Sequence, residues 1–269
     1  MLRPAPQLPP GYTLCMLCAW ILCAVLGSQD PAVKQPEPAG VGGEALPPAM
    51  PIGEKEAKDA IKSLWGPKDR LPLAQKVERI NAIAVMQHRA LVKPLTDLVR
   101  NEPALTVRKA AAFALGRQPP PDSHNALVGL LKDDKVGAAP EVAASVVQAL
   151  IQCAYVPADW AAVAPLFEKD FEANRSQLQQ QILKLAAKHK EKQAVRLLLR
   201  HLDEPHPENP DAADNPPAEY WEKRYKCWKV WKDDAKEALF LITGQRFSTA
   251  KEAHAWLKVN GKKLGILEF

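Results

Sequence analysis

A period close to 35 residues runs through the middle of the chain and restricts its fold more than any other feature. Leu115, Leu150 and Leu185 recur at a spacing of 35, each closing a run of mostly small or aliphatic residues: KAAAFAL, SVVQAL and QQILKL. Val107 and Val142 repeat at the same distance, as do Leu131 and Leu166, and Pro94 and Pro165 stand 71 apart, each before a leucine. A repeat of that length holds a pair of helices. One pair cannot bury its apolar face alone, so pairs stack until a continuous core forms.

The units lay out as 73–86 with 90–100, 105–116 with 123–132, 140–153 with 159–171, and 175–189 with 192–202. Turn chemistry separates them at Asn101-Glu102-Pro103, Pro119-Pro120-Pro121, Asp133-Asp134 and Val156-Pro157. Ser123 and Asp159 are placed as N-caps. A preceding helix begins near Glu54, with Ala57, Ile61, Leu64 and Trp65 on one face, and Gly66-Pro67 ends it. Aromatics are sparse at 6%, and Val, Ile and Thr never alternate in runs. The expectation is all-α with no β-sheet, and helices antiparallel to their neighbours in sequence because the connections are short.

The remaining segments flank this middle, at 54–202. Residues 12–27 (YTLCMLCAWILCAVLG) form an apolar run of signal-peptide length that is short for a membrane span, so 1–28 reads as a signal peptide or an uncleaved anchor. Residues 29–53 carry six prolines and no apolar period, which is the composition of a disordered linker. Residues 203–218 form a Pro-rich acidic loop. In 203–219 there are six acids and no Lys or Arg, whereas 220–269 carries eleven Lys/Arg against six Asp/Glu. Residues 219–269 form a helical cap: a long amphipathic helix over 220–243 ended by Gly244, then a helix over 249–260 with Ser248 or Thr249 as cap and Gly261 as stop.

VRKAAAFALG at 107–116 resembles the first helix of a HEAT repeat. Asn101-Glu102-Pro103 before it is similar to the acidic-Pro turn of that family, and Glu102 and Arg108 match the spacing of its acid and Arg. ALVKPLTDLV at 90–99 and LVGLLKDD at 127–134 resemble second helices, and LITGQRF with AHAWLKVN is similar to the segment that closes many bacterial HEAT-repeat proteins. In the later units Ala143 and Gln179 stand where the Arg would. The resemblance implies a right-handed α-solenoid of about four helix pairs, small residues that let helices approach closely, and a Glu102–Arg108 pair tying one turn to the next. It implies nothing about activity.

No residue set carries a catalytic reading. The chain has no GxSxG, P-loop or HExxH pattern, and its six histidines are scattered. His201 and His206 flank Asp203, Glu204 and Glu208, which reads as a metal site or, with more weight, as a solvated loop. Asp159-Trp160 is similar to the Trp and Asp with which HEAT-like DNA glycosylases hold a lesion; the plainer reading is a cap and a covering ring. Cys153 and Cys227 lack a CxxC context and read as a disulfide or, preferably, as two buried side chains. The run 177–181 (QLQQQ) reads as a polar helix face. A net charge of +5 does not by itself imply nucleic acid.

The function expected is a non-enzymatic protein-interaction scaffold outside the cytoplasm, with no cofactor or metal. Its partner is a protein or peptide, met on the second helices at Lys93, Asp97, Arg100, Asn125, Glu168, Arg196 and Arg200, whose mixed charge suits a peptide better than a polyanion. The membrane is met only through residues 12–27, if they stay attached. Two alternatives belong to other classes. One is a HEAT-like enzyme or enzyme accessory of the lyase type. The other is a nucleic-acid binder using Trp221, Tyr225, Trp228 and Trp231, which share a helix face with lysines interleaved; the plainer reading of that stripe is core.

Overall fold

The computed structural model describes residues 47–65, 71–207, 212–267 and 269. The apolar run at 12–27, most of the 29–53 linker, the Gly66-Pro67 stop, and Glu208 and Asp211 of the acidic loop lie outside the described residues. What is described is mostly helical. The helices are α1 (Glu54–Trp65), α2 (Leu73–Ile83), α3 (Val92–Asn101), α4 (Leu105–Gly116), α5 (Asp122–Leu131), the single turn α6 (Asp134–Gly137), α7 (Pro140–Gln152), α8 (Trp160–Glu168), α9 (Ser176–His189), α10 (Val195–Leu202), α11 (Ala218–Thr243) and α12 (Ala250–Leu264). Short 3-10 turns lead into α3, α8, α9 and α10.

The periodic residues form the core. Val107, Leu115, Val142, Leu150 and Leu185 are all fully buried, and Leu131 and Leu166 nearly so. The helices carrying them pack in chain order: α4 lies against α2 and α7, α7 against α9, and α9 against α11. α3 touches both α4 and α5, and α5 touches α7 and α8. The small residues of α4 explain how closely it meets its neighbours. Ala110, Ala111, Ala112 and Ala114 are buried, and a Cβ added to Gly116 would lie 2.8 Å from the Cβ of Ala149.

Polar links join positions about one period apart. His124 bonds Asp159 across 35 residues, the Tyr155 hydroxyl donates to Glu191 across 36, Lys135 donates to Asn101 across 34, and Gln193 donates to the Pro157 carbonyl across 36. Of these, the His124–Asp159 and Tyr155–Glu191 links satisfy buried or half-buried polar groups, as close packing demands.

Four sequence expectations need correction. A two-residue parallel ladder pairs β1 (Met50–Pro51) with β2 (Met86–Gln87), so the described chain does contain a small sheet. The turn after α2 is extended and its backbone groups need partners. The Met50 amide donates to Val85 O (2.9 Å) and the Ile52 amide to Gln87 O (3.2 Å), while Gln118 takes the Met86 carbonyl and the His88 amide from its side chain. Pro51, with no donor to give, occupies an edge strand where none is required.

Glu102 and Arg108 do not pair. Arg108 donates to Val99 O at the C-terminus of α3 and to Lys135 O, and Glu102 is held by Lys76 of α2 at 2.6 Å. Gly261 lies inside α12; Gly265, at φ +70, is the residue that ends it. Gly261 is needed for close approach, since a Cβ there would stand 3.1 Å from the Ile266 carbonyl. Ser123 lies within α5 and spends its hydroxyl on Gln118 O, whereas Thr249 does cap α12 by accepting from the Glu252 amide.

Candidate functional site

α3 presents Lys93, Thr96, Asp97 and Arg100 at spacings of three and four, so they fall on one side of the helix. Arg89 in the preceding 3-10 turn and Val92 extend the row upward. α5 lies alongside and contributes Asp122 and Ala126. Between the two helices runs an open groove of about 430 Å³, bounded by these eight residues. Its polar groups fall into two kinds. Arg100 is ion-paired with Asp133 at 2.7 Å and Thr96 donates to Val92 O, so both are fixed in place. Arg89, Lys93 and Asp122 are exposed and Asp97 is half-buried, and none of the four has an ion-pair partner among the described residues. A floor of Val92 and Ala126 beneath two cations and two anions can hold an extended chain that carries both signs of charge.

Of the seven candidate second-helix positions, Lys93, Asp97 and Arg100 bound this groove. Asn125 is exposed on α5 next to it but does not bound it. Arg196 is exposed on α10. Glu168 and Arg200 sit in a different cluster, paired with each other at 2.9 Å. Sequence reasoning missed Arg89, Val92, Thr96, Asp122 and Ala126; Arg89 and Thr96 follow from Lys93 at helical spacing, and Val92 from Arg89 and Thr96, whereas Asp122 and Ala126 depend on which part of α5 faces α3.

The Glu168 cluster is organised by His201, which is buried at 5% exposure against the rings of Phe167, Phe171 and Trp231. His201 Nδ1 lies 3.3 Å from an Arg224 nitrogen, which can only donate, so Nδ1 accepts and Nε2 carries the proton toward Glu168 Oε1 at 2.8 Å. Burial holds the His201 pKa below its ordinary value, with the Arg224 and Arg200 charges acting in the same direction. The hydrogen bond from His201 holds the Glu168 carboxyl below the usual carboxylate range, helped by Arg200. Every polar atom of the imidazole is used within the protein, which makes this a link between α8, α10 and α11.

The aromatic stripe of α11 divides. Trp231 is buried and its Nε1 donates to Gln179 Oε1 at 3.0 Å. Gln179 is itself fully buried and donates to Phe167 O, so the reading of 177–181 as a polar face fails at this residue. The packed interior between α9 and α11 leaves Gln179 no water, and Trp231 and the end of α8 supply its partners. Trp221 and Trp228 are half-buried, and Tyr225 is exposed, stacked on Trp228 at 5.9 Å. Lys229 covers the Tyr225 ring and Lys232 the Trp228 ring, at 5.5 and 5.1 Å.

Of the other sequence candidates, Asp159 and Trp160 are committed internally. Asp159 accepts from the Val156 amide and bonds His124 at 2.7 Å, and Trp160 is buried, so neither presents a surface to a ligand. His206 is exposed, and among the described residues its ring bonds the neighbouring Pro207 carbonyl. Among the described residues no group of three or more His, Cys, Asp or Glu is placed to hold a metal ion. Cys153 and Cys227 are both free thiols. Burial, with Asp170 and Glu172 nearby, pushes the Cys227 thiol up to about 11, and it donates to Phe171 O. No helix among the described residues is long and apolar enough to cross a membrane. No protein-family model, curated protein or solved structure matches the chain.

Proposed function

We propose that the chain is a non-enzymatic HEAT-like scaffold whose helix pairs stack as a right-handed solenoid, and that it binds an extended protein segment along the α3–α5 groove. The order of helix packing and the polar links one period apart support the solenoid. The observation that carries the binding reading is the groove itself, where Arg89, Lys93, Asp97 and Asp122 stand unpaired over an apolar floor. Unpaired charges of both signs select a partner with complementary charges in the right order. The apolar run at 12–27 supports the reading that the scaffold works outside the cytoplasm, exported or anchored to a membrane through that run.

A photo-crosslinking side chain in place of Thr96, in the full chain expressed in its own cells, tests this reading. It should trap a discrete protein adduct that disappears when Lys93→Glu and Asp97→Lys are combined. Adducts that persist through that charge reversal would place the binding surface elsewhere.

A further inference from the structure

α12 turns Lys251, Lys258, Lys262 and Lys263 to solvent, and all four are without an ion-pair partner among the described residues. The acid on the same face, Glu252, is occupied by the Ser248 amide. A second source of positive charge meets this helix at its C-terminus. Lys192, from the turn before α10, brings its Nζ to within 3.1 Å of where a Gly265 side chain would start.

Two aliphatic side chains that the fold does not use stand on this helix and just past its end. Val259 is 72% exposed and Leu267 is 79% exposed, the highest values of any large hydrophobic residue described. Lysines at a helix C-terminus are explained by its dipole. Exposed aliphatic residues on the helix and just past its end are not, and they add apolar points to its cationic side chains.

We propose that α12 and the residues just after it dock on an anionic lipid surface, with the lysines at the headgroup phosphates and Val259 and Leu267 entering the acyl boundary. The choice of lipid over nucleic acid rests on the ring positions. Single-stranded nucleic acid is held by aromatic rings between cations, and the aromatic ring of this helix nearest the lysines, Trp256, is half-buried and packed edge-on against Phe247. The groove between α3 and α5 shares no residue with this face, so either assignment stands if the other fails.

The full chain is mixed with vesicles of phosphatidylcholine alone and with vesicles that also carry phosphatidylglycerol, and hydrogen exchange is read over residues 255–269. A tether through residues 12–27 contributes equally to both samples. Exchange should slow only on the anionic vesicles. The lipid concentration for half-maximal protection should rise about fivefold for each of Lys258→Gln, Lys262→Gln and Lys263→Gln, and should also rise for Val259→Ser with Leu267→Ser. Equal exchange on the two kinds of vesicle would overturn the proposal. So would protection by an oligonucleotide or a poly-glutamate peptide with none on anionic vesicles.

Discussion

Gly116 of α4 and Ala149 of α7 meet so closely that a Cβ on Gly116 would lie 2.8 Å from the Ala149 Cβ and 3.0 Å from its carbonyl oxygen. Both partners at that contact are fixed, one of them backbone, so the helices must separate to admit a side chain. Gly116→Val should therefore destabilise by about 1–3 kcal/mol as overpacking. Gly129, in the last turn of α5, has nothing within 4 Å of an added Cβ, and Gly129→Ala should stabilise by less than about 1 kcal/mol through helix propensity. Urea denaturation of the two variants checks the opposite signs.

Leu115 is fully buried at the end of α4. Leu115→Ala should cost about 2–5 kcal/mol, with the spread set by how far α7 can close the cavity. A thermal melt unchanged by this substitution would mean that the periodic leucines do not mark the core.

Trp231 and Gln179 are joined by a buried hydrogen bond between α11 and α9. Trp231→Phe leaves the Gln179 oxygen without its donor and should cost about 1–3 kcal/mol beyond the lost contact area. Combining it with Gln179→Leu removes the stranded oxygen but also takes the donor from the Phe167 carbonyl, so the double variant should recover little of the loss. Denaturation of the two single variants and the double variant measures this coupling.

His201 ties stability to pH. Its pKa is lowered from 6.5 by burial and by the neighbouring arginines, so below that value the unfolded chain takes up a proton that the folded chain resists. The His201 contribution is complete above its unfolded pKa and is lost as pH falls below it. Glu168, also lowered, contributes stability that is present above its ordinary 4.5 and is lost as pH falls through the folded value, so both groups act in the same direction. His201→Gln keeps a donor for Glu168 and an acceptor for Arg224 without a titrating proton. Its melting temperature should fall less than that of the wild type between about pH 7.5 and about pH 5.5.

The helices were legible because side-chain period, small-residue runs and turn residues act locally. Leu105–Gly116 emerges with the boundaries its sequence suggests. The Met50–Met86 ladder was not legible, because backbone pairing leaves no side-chain signature at two residues' length. The α11 stripe shows a third limit. Spacings of four, three and three look like one face, yet at 3.6 residues per turn Tyr225 lies about 120° around the helix from Trp231. That rotation is enough to put one ring in the core and the other in solvent. In the groove, Lys93, Asp97 and Arg100 were visible from helical spacing, but Asp122 required knowing how α5 lies against α3.

The most direct test of the binding assignment is a titration of the protein trapped at Thr96 against the full chain and its Lys93→Glu/Asp97→Lys variant. Reversing two unpaired charges in the groove should weaken binding by about tenfold or more, with the melting temperature unchanged because neither side chain is bonded within the protein. Unaltered affinity in that variant, with binding lost instead in Trp228→Ala, would contradict the account and move the site to α11.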